Sequence, residues 1–207
     1  MRPGTPCLRS AAVLAGAVLA LAGCRSSGAT ELSGVTRQPP LAVSEVTLPE
    51  VTEGAPGTFH FQAAPGEVLL AYFGYTNCPD VCPTTLADVR DALGELDEED
   101  ASRVELAMTT VDPARDTGGV LNAYVGSFLP RFRVLRTEDP AELEAAESAF
   151  GARSSVTTGD DGRVEVTHTG TLYAVTPDGS VAVEWPFGTT VDVLAHDLEL
   201  LLNRAAD

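Results

Sequence analysis

The chain has 207 residues, 44% of them hydrophobic, which is enough for one domain with a full core. Its 30 acidic residues outnumber 13 basic ones, all of them arginine, and the formal net charge is −17. This balance argues against a nucleic-acid partner and against electrostatic attachment to anionic lipid, because both require a basic surface.

Residues 1–23 have the pattern of an export signal. Arg2 and Arg9 precede an apolar run over residues 11–22 that is too short for a comfortable transmembrane helix. The run ends in Leu-Ala-Gly-Cys, which resembles the lipobox of bacterial lipoproteins and implies cleavage before Cys24 and a lipid on its sulfur. The alternatives are an uncleaved anchor and a simple secretory peptide. Each of them predicts a domain outside the cytoplasm, and cleavage would change the net charge to −19 because it removes two arginines.

The segment after the signal is rich in Ser, Gly, Thr and Pro. It predicts a flexible tether over residues 24–41, followed by a single domain over residues 42–207. Once the signal is removed and Cys24 is lipidated, Cys78 and Cys82 are the only cysteines left in the exported domain.

Cys78 and Cys82 stand between a predicted strand and a predicted helix. The strand is the apolar run Val68–Tyr75, typical of a central strand buried on both faces. Pro79 and Pro83 disfavour the α conformation for the cysteines before them, and Pro83 suits the first position of a helix. Cys82 is therefore predicted as the helix N-cap, where the positive end of the helix favours its thiolate.

The spacing of the two cysteines allows either a disulfide or joint binding of one metal ion. A bond that closes so short a loop constrains the unfolded chain little and would stabilise the fold poorly. A redox or metal site is therefore favoured over a purely structural disulfide.

Beyond the cysteines the pattern alternates between strands and helices, which predicts an α/β fold with a central mixed sheet flanked by helices. A Pro-Asp-Gly turn adds a C-terminal β-hairpin, and the polar segment 151–162 predicts a mobile loop near the site. The predicted elements are strand Val104–Val111, helix Val120–Leu129, strand Phe132–Leu135, helix Pro140–Phe150, strand Arg163–His168, strands Thr171–Val175 and Val181–Trp185, and helix Thr190–Asn203.

Of the three histidines, His60 and His196 lie off the apolar faces of their predicted elements and are expected at the surface. His168 shares a face with two valines at the end of its strand, which fits either a core residue or a ligand. Two thiolates and one imidazole make a soft, three-coordinate donor set that suits Cu(I), so Cys78, Cys82 and His168 form the predicted metal site.

Two acidic residues are candidates for the outer shell of this site. Asp80 lies between the cysteines, and Asp112 follows the strand Val104–Val111, so both leave the carboxyl ends of predicted strands. Ordinary turn and capping roles are the alternative for each of them.

Three separated blocks of the sequence resemble the Sco/SenC family of copper proteins. The first is Phe-Gly-Tyr-Thr-Asn-Cys-Pro-Asp-Val-Cys-Pro-Thr-Thr-Leu over residues 73–86. The second is Thr-Val-Asp-Pro-Ala-Arg-Asp-Thr over residues 110–117, and the third joins His168 to Thr-Pro-Asp-Gly over residues 176–179. The resemblance covers the whole predicted domain and implies a thioredoxin-like fold.

The same resemblance implies that Cys78, Cys82 and His168 bind copper, as Cu(I), Cu(II) or both. It further implies a metallochaperone on the extracytoplasmic face of the bacterial cell membrane. Its recipient would be the dinuclear copper centre of cytochrome c oxidase subunit II, and another copper chaperone would be its donor.

Two alternatives use the same cysteines. A thiol–disulfide oxidoreductase would cycle a Cys78–Cys82 disulfide on the oxidase or on other exported proteins and would not need His168. The spacing is one residue longer than the Cys-x-x-Cys of thioredoxins, which argues against this enzyme and favours a chaperone. A redox or copper sensor would need the same three ligands.

Overall fold

The computed structural model describes Met1 and residues 31–205. The predicted export signal, the predicted lipidation site at Cys24 and the first part of the predicted tether lie outside this range. The buried core residues of the described part of the chain lie between Val43 and Leu202, so a form that starts at residue 26 contains all of them. Within the described part of the chain, no helix combines the length and apolar character needed to cross a bilayer.

The described residues form nine strands and five helices. No bounds were predicted for four of them, and most of the others lie within one or two residues of the predicted bounds. In chain order they are β1 (Thr47–Glu50), β2 (Gly57–His60), β3 (Val68–Gly74), α1 (Val81–Glu95), α2 (Glu98–Ala101), β4 (Val104–Thr110), α3 (Gly118–Gly126), β5 (Phe132–Leu135), α4 (Pro140–Phe150), β6 (Ser154–Thr158), β7 (Val164–His168), β8 (Leu172–Val175), β9 (Val181–Trp185) and α5 (Val191–Ala205).

Seven strands make one sheet in the order β2-β1-β5-β4-β3-β8-β9. The pairs β3–β4 and β4–β5 are parallel and the other pairs are antiparallel, which confirms the predicted mixed sheet. Strand β3 is buried along its whole length because β4 and β8 flank it and the core covers both its faces. The parallel arrangement brings the carboxyl ends of β3 and β4 to one edge of the sheet, where the cysteine loop begins.

The hairpins differ from the prediction in two respects. The predicted C-terminal hairpin is present as β8–β9, but it continues the main sheet because β8 pairs with β3. The predicted mobile loop over residues 151–162 instead contains β6, which pairs with β7 in a separate two-stranded sheet. The residues of β6 are largely exposed, so they carry no apolar periodicity, and only the pairing with β7 makes them a strand.

Residues 31–46, which we call the N-terminal strap, lie against the domain. Val35 and Ala42 form antiparallel bridges with Glu184 and Ser180 of the last hairpin. The strap therefore runs back along β9, and its first residues reach the edge of the sheet where β3 ends. The predicted flexible tether up to residue 41 is thus wrong from residue 31 onward, since this part of the chain is held by backbone hydrogen bonds.

The buried carboxylate of Asp197 in α5 fastens the start of the strap. It accepts hydrogen bonds from the backbone N–H groups of Ser33 at 2.7 Å and Gly34 at 2.9 Å, and from the indole N–H of Trp185 at 2.9 Å. Only glycine fits at position 34, because an added Cβ atom would lie 2.4 Å from a methyl of Val183 and 2.7 Å from the Trp185 ring.

Candidate metal centre

Helix α1 begins earlier than predicted. Asp80 precedes its first residue, so Cys82 is the second helical residue and not the N-cap. Pro83 is tolerated as the third residue because the first four N–H groups of a helix have no intrahelical acceptor in any case. The steric preference of the residue before a proline is overridden here, and Cys82 adopts the helical conformation.

Three side chains converge at the edge of the sheet where β3 ends. The sulfurs of Cys78 and Cys82 and a ring nitrogen of His168 all lie within 4.8 Å of one another. Sγ of Cys82 is 3.5 Å from Nε2 of His168, and the backbone N–H of Cys82 donates to Sγ of Cys78 at 3.2 Å. Both cysteines are free thiols and both are buried. Within residues 31–205 this is the one group of His, Cys, Asp and Glu side chains spaced to hold a metal ion.

His168 is oriented for ligation by the groups around it. Its Nδ1 lies 3.1 Å from the carbonyl oxygen of Thr169, an arrangement in which Nδ1–H donates and the Nε2 lone pair faces the sulfurs. The rings of Tyr72 and Tyr75 pack edge-to-face on the imidazole, with centroid distances of 6.1 and 5.6 Å. Pairing with Ser154 of β6 fixes the end of the strand that carries the histidine.

The pKa of Cys82 contradicts the prediction that the helix start favours its thiolate. Burial raises the pKa of the Cys82 thiol to about 12, although a hydrogen bond from the Tyr75 backbone opposes this shift. Removal of the sulfur from water thus outweighs the positive end of the helix, and the free thiol stays protonated at neutral pH. A bound cation reverses this balance, because a coordinating thiol loses its proton.

Asp80 and Asp112, the two predicted outer-shell carboxylates, are not members of the three-residue ligand cluster. Asp80 is exposed and makes no side-chain hydrogen bond to the helix it precedes. Asp112 is buried and forms an ion pair with Arg115 three residues later. Asp112 therefore stabilises the loop after β4.

A third carboxylate, Asp116, supports the cysteine loop and was not predicted as a site residue. It is fully buried and accepts hydrogen bonds from the backbone N–H of Thr76 at 3.0 Å and from its hydroxyl at 2.5 Å. It also accepts one from the hydroxyl of Thr110 at 2.7 Å. These bonds tie the loop that carries Cys78 to the end of β4.

The other two histidines stay outside the site. His60 is exposed on β2, as predicted. His196 was predicted to be exposed but is half-buried on α5, where its Nε2 is enclosed without a hydrogen-bond partner among the described residues. The buried face of α5 is wider than its apolar residues indicate, since Asp197 next to it is also buried.

A strand that runs into a cysteine-bearing helix start, within a mixed sheet flanked by helices, defines a thioredoxin-like domain. The addition of a histidine from a separate hairpin makes it a thioredoxin-like domain with a soft-metal site. A profile of the SCO1/SenC family matches residues 52–203, and the chain therefore belongs to the SCO1/SenC family.

Relatives and solved structures agree with this assignment. A protein of Stutzerimonas stutzeri named for copper binding is 36% identical over 123 residues, which are 59% of this chain and 60% of that protein. The mitochondrial SCO2 homolog of Danio rerio is 36% identical over 116 residues, 55% of this chain and 41% of that protein. The chain thus spans about half the length of the curated relatives it matches.

Among solved structures, Bradyrhizobium japonicum ScoI with copper bound superimposes with a TM-score of 0.63 at 30% identity, covering 75% of this chain and 96% of that one. Arabidopsis thaliana ScoI with copper bound gives 0.66 at 26% identity, with 79% and 99% covered. A third neighbour, BsSco, is described as a member of the Sco family of cytochrome c oxidase assembly proteins; it is 23% identical and supports the fold alone. The predicted fold class is confirmed.

Proposed function

We propose that this protein is an extracytoplasmic copper chaperone that carries one copper ion on Cys78, Cys82 and His168. The observation that carries the proposal is the convergence of the three ligand atoms within 4.8 Å at an edge of the sheet. Two thiolates and an imidazole are soft donors that suit Cu(I), and zinc would require a fourth ligand. Membership of the SCO1/SenC family and the copper-bound neighbours support the same metal.

The site also has the access that a carrier needs. His168 is half-buried, whereas the Cys82 sulfur is fully buried, so an incoming ligand reaches the copper from the side of the histidine and Cys78. A three-coordinate ion accepts a new donor before it loses an old one. Copper would leave as thiolates of the recipient replace those of the chaperone in turn.

The proposed recipient is the dinuclear copper centre of cytochrome c oxidase subunit II, with a second copper chaperone as the donor. Support comes from membership of the SCO1/SenC family, since the family resemblance implies this role. The net charge of −17 fits a partner with a cationic docking surface.

Replacing His168 by alanine tests the site. We expect the reduced soluble form, residues 26–207, to bind one Cu(I) per chain in an anaerobic titration against a competing chelator. The alanine variant should bind about a hundredfold more weakly, about 2.8 kcal/mol, because one of three donors is lost. The matched control is His60→Ala, at an exposed position on β2.

The outcomes of this titration separate the alternatives. Tight Cu(I) binding by both histidine variants would show that His168 is not a ligand and that the two thiolates are sufficient. Failure of the unmodified protein to compete for copper would overturn the chaperone proposal.

A thiol–disulfide oxidoreductase is the second candidate, and one observation favours it. The two sulfurs lie within 4.8 Å as free thiols, so a modest movement would bring them to the 2.05 Å of a disulfide. Closing the Cys78–Cys82 bond would release two electrons and two protons to the disulfide of an exported substrate protein. This exchange begins when a thiolate attacks the disulfide of the substrate. Burial of both sulfurs and the raised pKa of Cys82 oppose that attack, and for that reason the chaperone is preferred.

We further infer that a lipid on Cys24 holds the domain at the membrane. Six residues join Cys24 to the strap, which limits their span to about 20 Å when fully extended. Because the strap begins at the edge of the sheet that carries the copper ligands, the anchor would keep this edge near the lipid surface. We expect metabolic labelling with a fatty acid to mark the full chain and not Cys24→Ser; equal labelling of both would contradict the anchor.

A further inference from the structure

Tyr72 carries a buried hydroxyl group that makes no hydrogen bond. The residue is fully buried in β3, and its hydroxyl has no partner among the described residues. Native structures seldom leave such a group unpaired, because burial without a hydrogen bond is unfavourable. The side chains around the Tyr72 hydroxyl therefore indicate which group it can pair with.

The tyrosine ring lies against two of the three metal ligands. A Cβ atom added to Gly74 would sit 2.7 Å from Cε1 of Tyr72 and 3.0 Å from Sγ of Cys82, so the ring edge and the sulfur converge on the same point. The ring also packs edge-to-face on His168, with 6.1 Å between centroids. The missing side chain of Gly74 is what allows this approach.

The Tyr72 hydroxyl can donate a hydrogen bond, and no group among the described residues accepts it. The Thr85 hydroxyl lies nearby and donates to the carbonyl oxygen of Val81 at 2.9 Å, so it does not donate to Tyr72. A phenol is protonated at neutral pH, so the hydroxyl has a proton to donate.

We propose that the Tyr72 hydroxyl donates a hydrogen bond to the Cys82 sulfur when that sulfur is the thiolate ligand of copper. A thiol sulfur accepts hydrogen bonds weakly and does not satisfy the hydroxyl. A thiolate is a charged and much stronger acceptor. Tyr72 is thus a positioning residue that favours the copper-loaded state, and this inference rests on the proposed function.

The hydrogen bond has two measurable consequences for copper. It withdraws electron density from the sulfur, so its removal should shift the thiolate-to-Cu(II) charge-transfer absorption to longer wavelength. It also stabilises the anionic ligand, so its removal should weaken Cu(I) binding about tenfold, at the lower end of the 10- to 100-fold effects of groups that contact metal ligands.

Tyr72→Phe in residues 26–207 tests the proposal, because it removes one oxygen atom and preserves the ring packing. We expect the red shift and the loss of Cu(I) affinity, together with a higher unfolding midpoint of the metal-free protein, since an unpaired polar group is removed. A merely structural tyrosine would not produce opposite effects on the free and loaded states. The matched control is Tyr173→Phe, a fully buried tyrosine of β8 on which Glu184 and Thr171 act.

Each result decides one point. A spectrum and an affinity of Tyr72→Phe equal to those of the unmodified protein would overturn the hydrogen bond, as would equal changes in the Tyr173 variant. Absence of copper binding by the unmodified protein would instead overturn the proposed function, so the two failures are distinguishable.

Discussion

Cu(I) affinity is expected to fall at least about a thousandfold, about 4 kcal/mol, when Cys82 is replaced by serine. A serine hydroxyl is neutral and hard, whereas Cu(I) prefers an anionic soft sulfur, and only Cys78 and His168 would remain as donors. The measurement is the same anaerobic competition against a chelator, on residues 26–207, which exclude the remaining cysteines of the chain.

The control for this variant is Thr84→Ser, in the first turn of the same helix and exposed to solvent. Near-ultraviolet circular dichroism of both variants checks that the core around the fully buried Cys82 is intact. Unchanged copper affinity in a folded Cys82→Ser variant would show that the ligand cluster is not where copper binds. Cys78→Ser should behave in the same way, since its sulfur belongs to the same cluster.

Replacing Asp197 by alanine should lower the free energy of unfolding by about 3 kcal/mol. The carboxylate accepts three hydrogen bonds, from the backbone of Ser33 and Gly34 and from the indole of Trp185. Water can satisfy the two backbone donors once the strap detaches. The indole N–H is buried, however, and would lose its acceptor.

Chemical denaturation measures this loss, and the fluorescence of Trp185 reports it directly because the chain has one tryptophan. Asp192→Ala is the matched control, at an exposed position in the first turn of the same helix. Its expected cost is below about 1 kcal/mol, from the lost interaction with the helix dipole. Equal destabilisation by the two variants would mean that Asp197 does not hold the strap.

Elements with a strong internal pattern were predictable. Strand β3 follows from a continuous apolar run, and helix α4 from a proline at its start and Gly151, at φ +66°, past its end. His168 could be singled out because it shares a face with valines and completes a soft donor set. In each case the signal lies within a few neighbouring residues, where the geometry of strands and helices acts directly.

Features that depend on contacts between distant segments were not predictable. The strap has no apolar periodicity, and it is held by backbone groups that meet a carboxylate 163 and 164 residues away. Asp116 resembles any polar turn residue until the fold brings Thr76 beside it. Strand β6 exists because β7 pairs with it, and its own sequence is polar and exposed.

The sequence by itself determined the α/β class, the two cysteines at the end of a central strand and the histidine that joins them. Tertiary structure alone decided that Cys82 is fully buried, that burial raises the pKa of its thiol, and that Tyr72 lies beside it with no hydrogen-bond partner among residues 31–205. The physical reason is that periodicity and residue chemistry are local properties of a chain. Desolvation and hydrogen-bond satisfaction are set by which distant groups the packed fold brings together.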